Sequence, residues 1–158
     1  MLFKSTLLSA LYLMTNASFI TADHLNQHKA PSTISIKTNE LMTPISNKEI
    51  CLLYLKKYAE KDLNSIEAMF SNDIVLRDWK IRVEGKEKAL NETRKNFNNA
   101  DTIAIEVLAT YESKNTVAAE LKITVDATEV LYVVDVITIN AERKISSIRA
   151  YLGRGDER

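Results

Sequence analysis

The chain has 158 residues, about one domain's worth, which leaves no room for a second globular unit. Its 21 basic and 21 acidic side chains balance, and Lys56, Lys57, Arg77, Lys80, Arg94 and Lys95 are interleaved with acids, so the cationic face that nucleic acid requires is missing. Three glycines, Gly85, Gly153 and Gly155, form no phosphate-cradling loop, and the two histidines complete no Ser/His/Asp set, so no nucleotide, metal or other cofactor is predicted.

Residues 1–22 read as a cleavable signal peptide. Met1 to Lys4 carry one positive charge, Leu7 to Met14 are mostly apolar, and small residues follow at Thr15, Ala17, Thr21 and Ala22. Cleavage is expected after Ala22, where charge begins at Asp23, or after Ala17. The apolar run is shorter than the roughly 20 residues that span a bilayer, and no later stretch replaces it, so no membrane is a partner after cleavage. The predicted location is secreted or periplasmic. Such compartments favour disulfides, yet Cys51 is the chain's one cysteine and pairs with nothing internal. It is expected to act as a small buried hydrophobe.

Residues 23–45 form a polar linker without periodicity, broken by Pro31. His24 and His28 lie in it, four apart, with no third ligand nearby, and are expected to be a solvated pair.

A domain is predicted over residues 46–152, followed by a tail over 153–158. It opens with a capping box, Ser46 with Glu49 three residues later, and Ile45 is placed to staple onto Ile50. Ile50, Leu53, Tyr54 and Tyr58 recur at helical spacing and predict one buried face of a helix that ends near Asp62. A short second helix with the stripe Leu63, Ile66, Met69 and Phe70 stops at the turn residues Ser71, Asn72 and Asp73. Ile74 to Trp79 reads as a strand. Gly85 precedes a third helix with the inner face Ala89, Leu90, Thr93 and Phe97. Asn91, Glu92 and Thr93 also spell a glycosylation acceptor, but on that helix.

Four segments rich in Val, Ile and Thr follow: Thr102 to Tyr111, Thr116 to Val125, Val130 to Ile139 and Lys144 to Leu152. In the second, Val117, Ala119, Leu121 and Ile123 alternate with polar residues, which gives a sheet with one wet face. Short connections make these strands antiparallel neighbours. The prediction is an α+β fold with three N-terminal helices on one face of a curved antiparallel sheet.

Asp135 breaks the pattern of its strand. Leu131, Val133, Ile137 and Ile139 share its face, and an unpaired carboxylate among them must find a partner or take up a proton. Asp78, at the end of the Ile74 to Trp79 strand, is a second candidate, and Tyr54 points a hydroxyl inward from the first helix.

Tyr54 through Asp62, Asp73 and Asp78, then Val83, Glu84 and Gly85 with its helix, then Val133 to Val136 and Ile145 to Tyr151, resembles the SnoaL-like proteins of the NTF2-like superfamily. Within that group the stretch is most similar to ketosteroid isomerase, over about Glu49 to Leu152. The resemblance implies a cone-shaped, cystatin-like α+β barrel around an apolar pocket. It implies Asp78 as a general base and Tyr54 and Asp135 as the two donors of an oxyanion hole, acting on a small hydrophobic carbonyl compound. It equally allows a non-catalytic small-ligand-binding protein or an interaction module, with a homodimer as one possible assembly. The chain departs from the isomerase pattern at Trp79, where that pattern has a proline, and at Phe70 and Thr93, which replace supporting tyrosines of one branch of the family. The segment between Asp78 and Asp135 is also shorter.

Overall fold

The computed structural model describes residues 45–155. The predicted signal peptide, the histidine pair and most of the linker lie outside them.

The first helix, α1 (Asn47–Ala59), starts at the predicted capping box: the Ser46 hydroxyl accepts from the Glu49 N–H at 3.1 Å while the Glu49 carboxylate accepts from the Ser46 N–H. Ile45, expected to pack onto Ile50, is instead 48% exposed and lies outside the core. The helix ends earlier than Asp62, because Asp62 caps the next helix, α2 (Leu63–Met69), by accepting from the Ser65 N–H at 3.0 Å. The buried face of α1 is Ile50, Cys51, Tyr54 and Leu55 rather than one containing Leu53. At about 100° per residue the four buried positions share one arc, and Leu53 falls well outside it.

Strand β1 (Phe70–Arg77) begins directly after α2, several residues earlier than predicted, and ends one residue before Asp78. The turn residues Ser71, Asn72 and Asp73 do not interrupt it. They are absorbed where the register against the last strand jumps between Phe70 and Val75. After β2 (Arg82–Glu84), Gly85 adopts φ +94° and opens α3 (Lys86–Asn99). All four predicted inner residues, Ala89, Leu90, Thr93 and Phe97, are buried. Thr93 Oγ1 donates to the Ala89 carbonyl at 3.0 Å, so the third residue of the acceptor triplet is turned inward.

Four strands complete the chain: β3 (Ile103–Ser113), β4 (Thr116–Val125), β5 (Glu129–Ile139) and β6 (Ile145–Leu152). They form one six-stranded sheet in the order β2-β1-β6-β5-β4-β3. The α+β architecture is the predicted one, three helices on a curved sheet, but the sheet stays open, with β2 and β3 as its edges, and does not close into a barrel. Its neighbours are antiparallel except for β1 and β6, which run parallel, so the predicted all-antiparallel sheet is corrected there; the long connection through α3 and four strands between them permits that direction.

The core lies between the helices and the inner face of the sheet. Ile66, Ile74, Ile137 and Ile145 are fully buried there, each contributing roughly 1.5–3 kcal/mol by leaving water. No helix among the described residues is long and apolar enough to cross a membrane.

Candidate functional site

The strand register decides where this core is incomplete. On the inner face of β5, Val133 stands beside Leu121 and Ile137 stands between Val117 and Ile148, so the sheet is filled at both levels. Between them Asp135 is flanked by Ala119 on β4 and Ala150 on β6. On the β6 side the Ala150 methyl leaves room beside the carboxyl that a larger side chain would occupy. A cavity of about 120 Å³ opens there.

Tyr54, Asp78 and Asp135 all line this cavity, together with Tyr58, Trp79 and Asn96. The structure thus brings the three sequence-predicted residues to one space from three elements: α1, the turn after β1, and the middle of β5. Tyr54 and Tyr58 line one wall and are backed by further aromatic rings. Tyr54 lies 6.0 Å from both Phe70 and Tyr58, and Tyr58 packs edge-on against Phe97 at 5.0 Å between centroids. Phe70, in place of a tyrosine, therefore supports Tyr54 through its ring alone.

The two acids sit in opposite surroundings. Asp135 is 9% exposed and makes no hydrogen bond among the described residues. Burial pushes its carboxyl up to about 7, because a charge there loses its hydration without gaining a counter-charge. Among the described residues the sealed, unpartnered polar atoms are Ser71 Oγ and Arg77 Nε, not the Asp135 carboxyl, which instead lines the cavity. Asp78 stands at the rim. Its Oδ1 accepts from the Lys80 N–H at 2.5 Å and the Ile81 N–H at 2.7 Å, and its own N–H donates to the Ile81 carbonyl at 3.0 Å. The carboxylate thereby closes the turn that carries Trp79, whose indole is 42% exposed. Asp78 Oδ2 makes no hydrogen bond among the described residues.

Tyr54 is 4% exposed. Its phenol is pushed well up, first by burial and then by nearby Tyr58 and Asp135, so it remains a hydroxyl donor. Tyr58 is held up for the same leading reason, and its oxygen accepts from Asn96 Nδ2 at 3.0 Å. Cys51 is fully buried as predicted, and burial, with Asp135 adding to it, pushes its thiol up to about 12, which keeps it protonated. Among the described residues no group of three or more His, Cys, Asp or Glu side chains is placed to hold a metal ion.

Sequence reasoning placed Tyr58 in the core and passed over Asn96. Tyr58 follows Tyr54 by one helical turn, so its position on the same wall was readable from the spacing. Asn96 approaches from a helix 38 residues away and left no such mark.

A chemical consequence follows from this arrangement. Two hydrogen-bond donors, the Asp135 carboxyl and the Tyr54 phenol, and one carboxyl oxygen of Asp78 that makes no hydrogen bond among the described residues thus line a single cavity.

Among solved structures, an NTF2-like protein from Cytophaga hutchinsonii superposes with a TM-score of 0.61 at 14% identity, covering 71% of this chain and 94% of its own. SalBIII, an epoxide hydrolase/cyclase-like enzyme of pyran ring formation in the polyether salinomycin, superposes at 0.60 with 25% identity over 68% of this chain and 90% of its own. A protein assigned as a ketosteroid isomerase from Kribbella flavida superposes at 0.62 with 13% identity over 71% and 81%. A search of curated proteins returns no match. The model of the SnoaL-like domain matches residues 53–148, a span that holds Tyr54, Asp78 and Asp135 and more than half of the sequence, and the chain belongs to that family.

Proposed function

We propose that the cavity shifts a proton next to a carbonyl group of a small hydrophobic substrate, as an isomerase or cyclase of the ketosteroid-isomerase type. Asp78 Oδ2 takes a proton from the carbon beside the carbonyl, and the C–H electron pair moves into the carbonyl to form an enolate. Tyr54 and protonated Asp135 donate to the enolate oxygen. Asp78 then returns the proton to a second carbon, the carbonyl re-forms, and the double bond has moved with no net change in atoms or electrons.

The observation that carries this reading is the convergence of Tyr54, Asp78 and Asp135 on one cavity with the acids in contrasting environments. The resemblance to SalBIII, an epoxide hydrolase/cyclase-like enzyme of pyran ring formation, supports a catalytic pocket on this fold. Because Asp135 loses its donor proton above about pH 7, turnover falls as pH rises through that value.

Asp78→Asn tests the base. The amide oxygen still accepts from Lys80 and Ile81, so the turn survives while the base is removed. Conversion of 3-cyclohexenone to its conjugated isomer, followed by ultraviolet absorbance, should slow by about 10²- to 10⁴-fold, the usual share of a general base. Turnover at the wild-type rate would end the catalytic reading.

A second reading, a non-catalytic pocket for a small apolar ligand, is favoured by the two hydrogen bonds that Asp78 makes to its own turn. Closing a turn is reason enough for an Asp at that position.

We also propose that residues 1–22 direct export, on the strength of their charge, apolar run and small residues. N-terminal sequencing of protein from the periplasm or medium should begin at Asp23 or Ser18. An intact Met1 in the cytoplasm alone would refute it.

A further inference from the structure

We infer that this cavity selects a ligand of one ring, and that Trp79 is the residue that sets the limit. The inference rests on the acid/base reading above for where the ligand's oxygen must sit, at the floor beside Asp135.

The space itself is small. The cavity measures about 120 Å³, whereas a dry cavity of about 150 Å³ admits benzene and pockets for drug-sized ligands run from roughly 300 to 1,000 Å³. A single ring seated between Tyr54 and Asp78 fills it. A fused tetracycle such as a steroid has to leave through the rim, past the turn of residues 78–81.

That turn is fixed rather than loose. Three hydrogen bonds between Asp78 and the backbone of Lys80 and Ile81 close it, and Trp79 is the residue at its bend. The indole both lines the cavity and remains 42% exposed, which is where a gate residue has to stand. Since the turn is held by the carboxylate proposed as the base, moving the indole aside by bending the backbone would misplace that base. Larger substrates are therefore refused at the rim rather than accommodated by it.

Phenols test this directly, because their hydroxyl can meet Tyr54 and Asp135 as an enolate oxygen would. Phenol, 2-naphthol and a tetracyclic steroidal phenol are titrated by calorimetry into the wild-type chain, Trp79→Ala, Trp79→Leu and Tyr54→Phe. The ratio of steroidal-phenol to phenol affinity should rise by about tenfold or more in both Trp79 variants, with 2-naphthol intermediate, and Tyr54→Phe should weaken phenol itself by about tenfold. A ratio unchanged in both Trp79 variants, or a steroidal phenol that outbinds phenol in the wild-type chain, overturns the size limit and leaves the acid/base reading standing. Phenol binding that ignores Tyr54→Phe while the ratio responds to Trp79 overturns the acid/base reading and leaves the size limit. Failure of every probe on every variant overturns both.

Discussion

The floor and the rim of the cavity each present one carboxyl group, and the protein treats the two in opposite ways. At the floor, Asp135 sits between two alanines with no hydrogen-bond partner among the described residues, and burial pushes its carboxyl up to about 7. At the rim, Asp78 spends one oxygen on two backbone N–H groups and keeps its other oxygen clear. An apolar surround favours the neutral form of a carboxyl group. The same side chain thus stands as a bare acid in one place and as a turn-closing hydrogen-bond acceptor in the other.

The largest effect of breaking this contrast is at the floor. Asp135 titrates near 7 when folded and near the usual 3.8 when unfolded. Between those values the native chain holds a proton that the unfolded chain has released, so its contribution to stability is complete below about pH 4 and is lost as pH rises through about 7. Asp135→Asn keeps the shape and has no proton to lose. From pH 4 to pH 8 the wild-type chain should therefore fall relative to Asp135→Asn by at most about 4 kcal/mol, less where water reaches the carboxyl from the cavity. Urea midpoints of both proteins at pH 4, 6 and 8 measure it. Parallel pH dependences would mean that Asp135 is not held neutral, and the contrast with Asp78 would disappear.

Much of this was legible in the sequence, and the legible parts share a cause. The inner face of α3 and the span of β4 were read correctly because each is fixed by a local period, 3.6 residues in one case and two in the other. Asp135 stood out because a single acid in an apolar strand is conspicuous whatever the fold. The errors fall where tertiary packing outvotes local pattern. Leu53 fits a helical stripe, yet the sheet and α2 take Cys51 and Leu55 instead. Ser71, Asn72 and Asp73 have turn chemistry, yet pairing with β6 draws them into a strand as an irregular stretch. The resemblance implied a pocket, but its place beside Asp135 was not readable from local pattern, since it depends on Ala150 arriving next to Asp135 from a strand that no single segment can align.

The smaller effect lies at the rim, and it separates the two tasks of Asp78. Asp78→Ala removes the acceptor for the Lys80 and Ile81 N–H groups, which water can partly replace because the turn is near the surface, so the cost in stability should be about 1 kcal/mol. Asp78→Asn retains that acceptor and should cost less than about 0.5 kcal/mol. If Asp78 only closed the turn, ligand affinity and turnover would follow stability, with Asn close to the wild-type chain and Ala impaired. If its free oxygen takes the proton, the two variants should be equally inactive despite their different melting temperatures. Calorimetric melting together with the enone assay on both variants decides the matter, and an active Asp78→Asn protein would leave the turn as the whole reason for this residue.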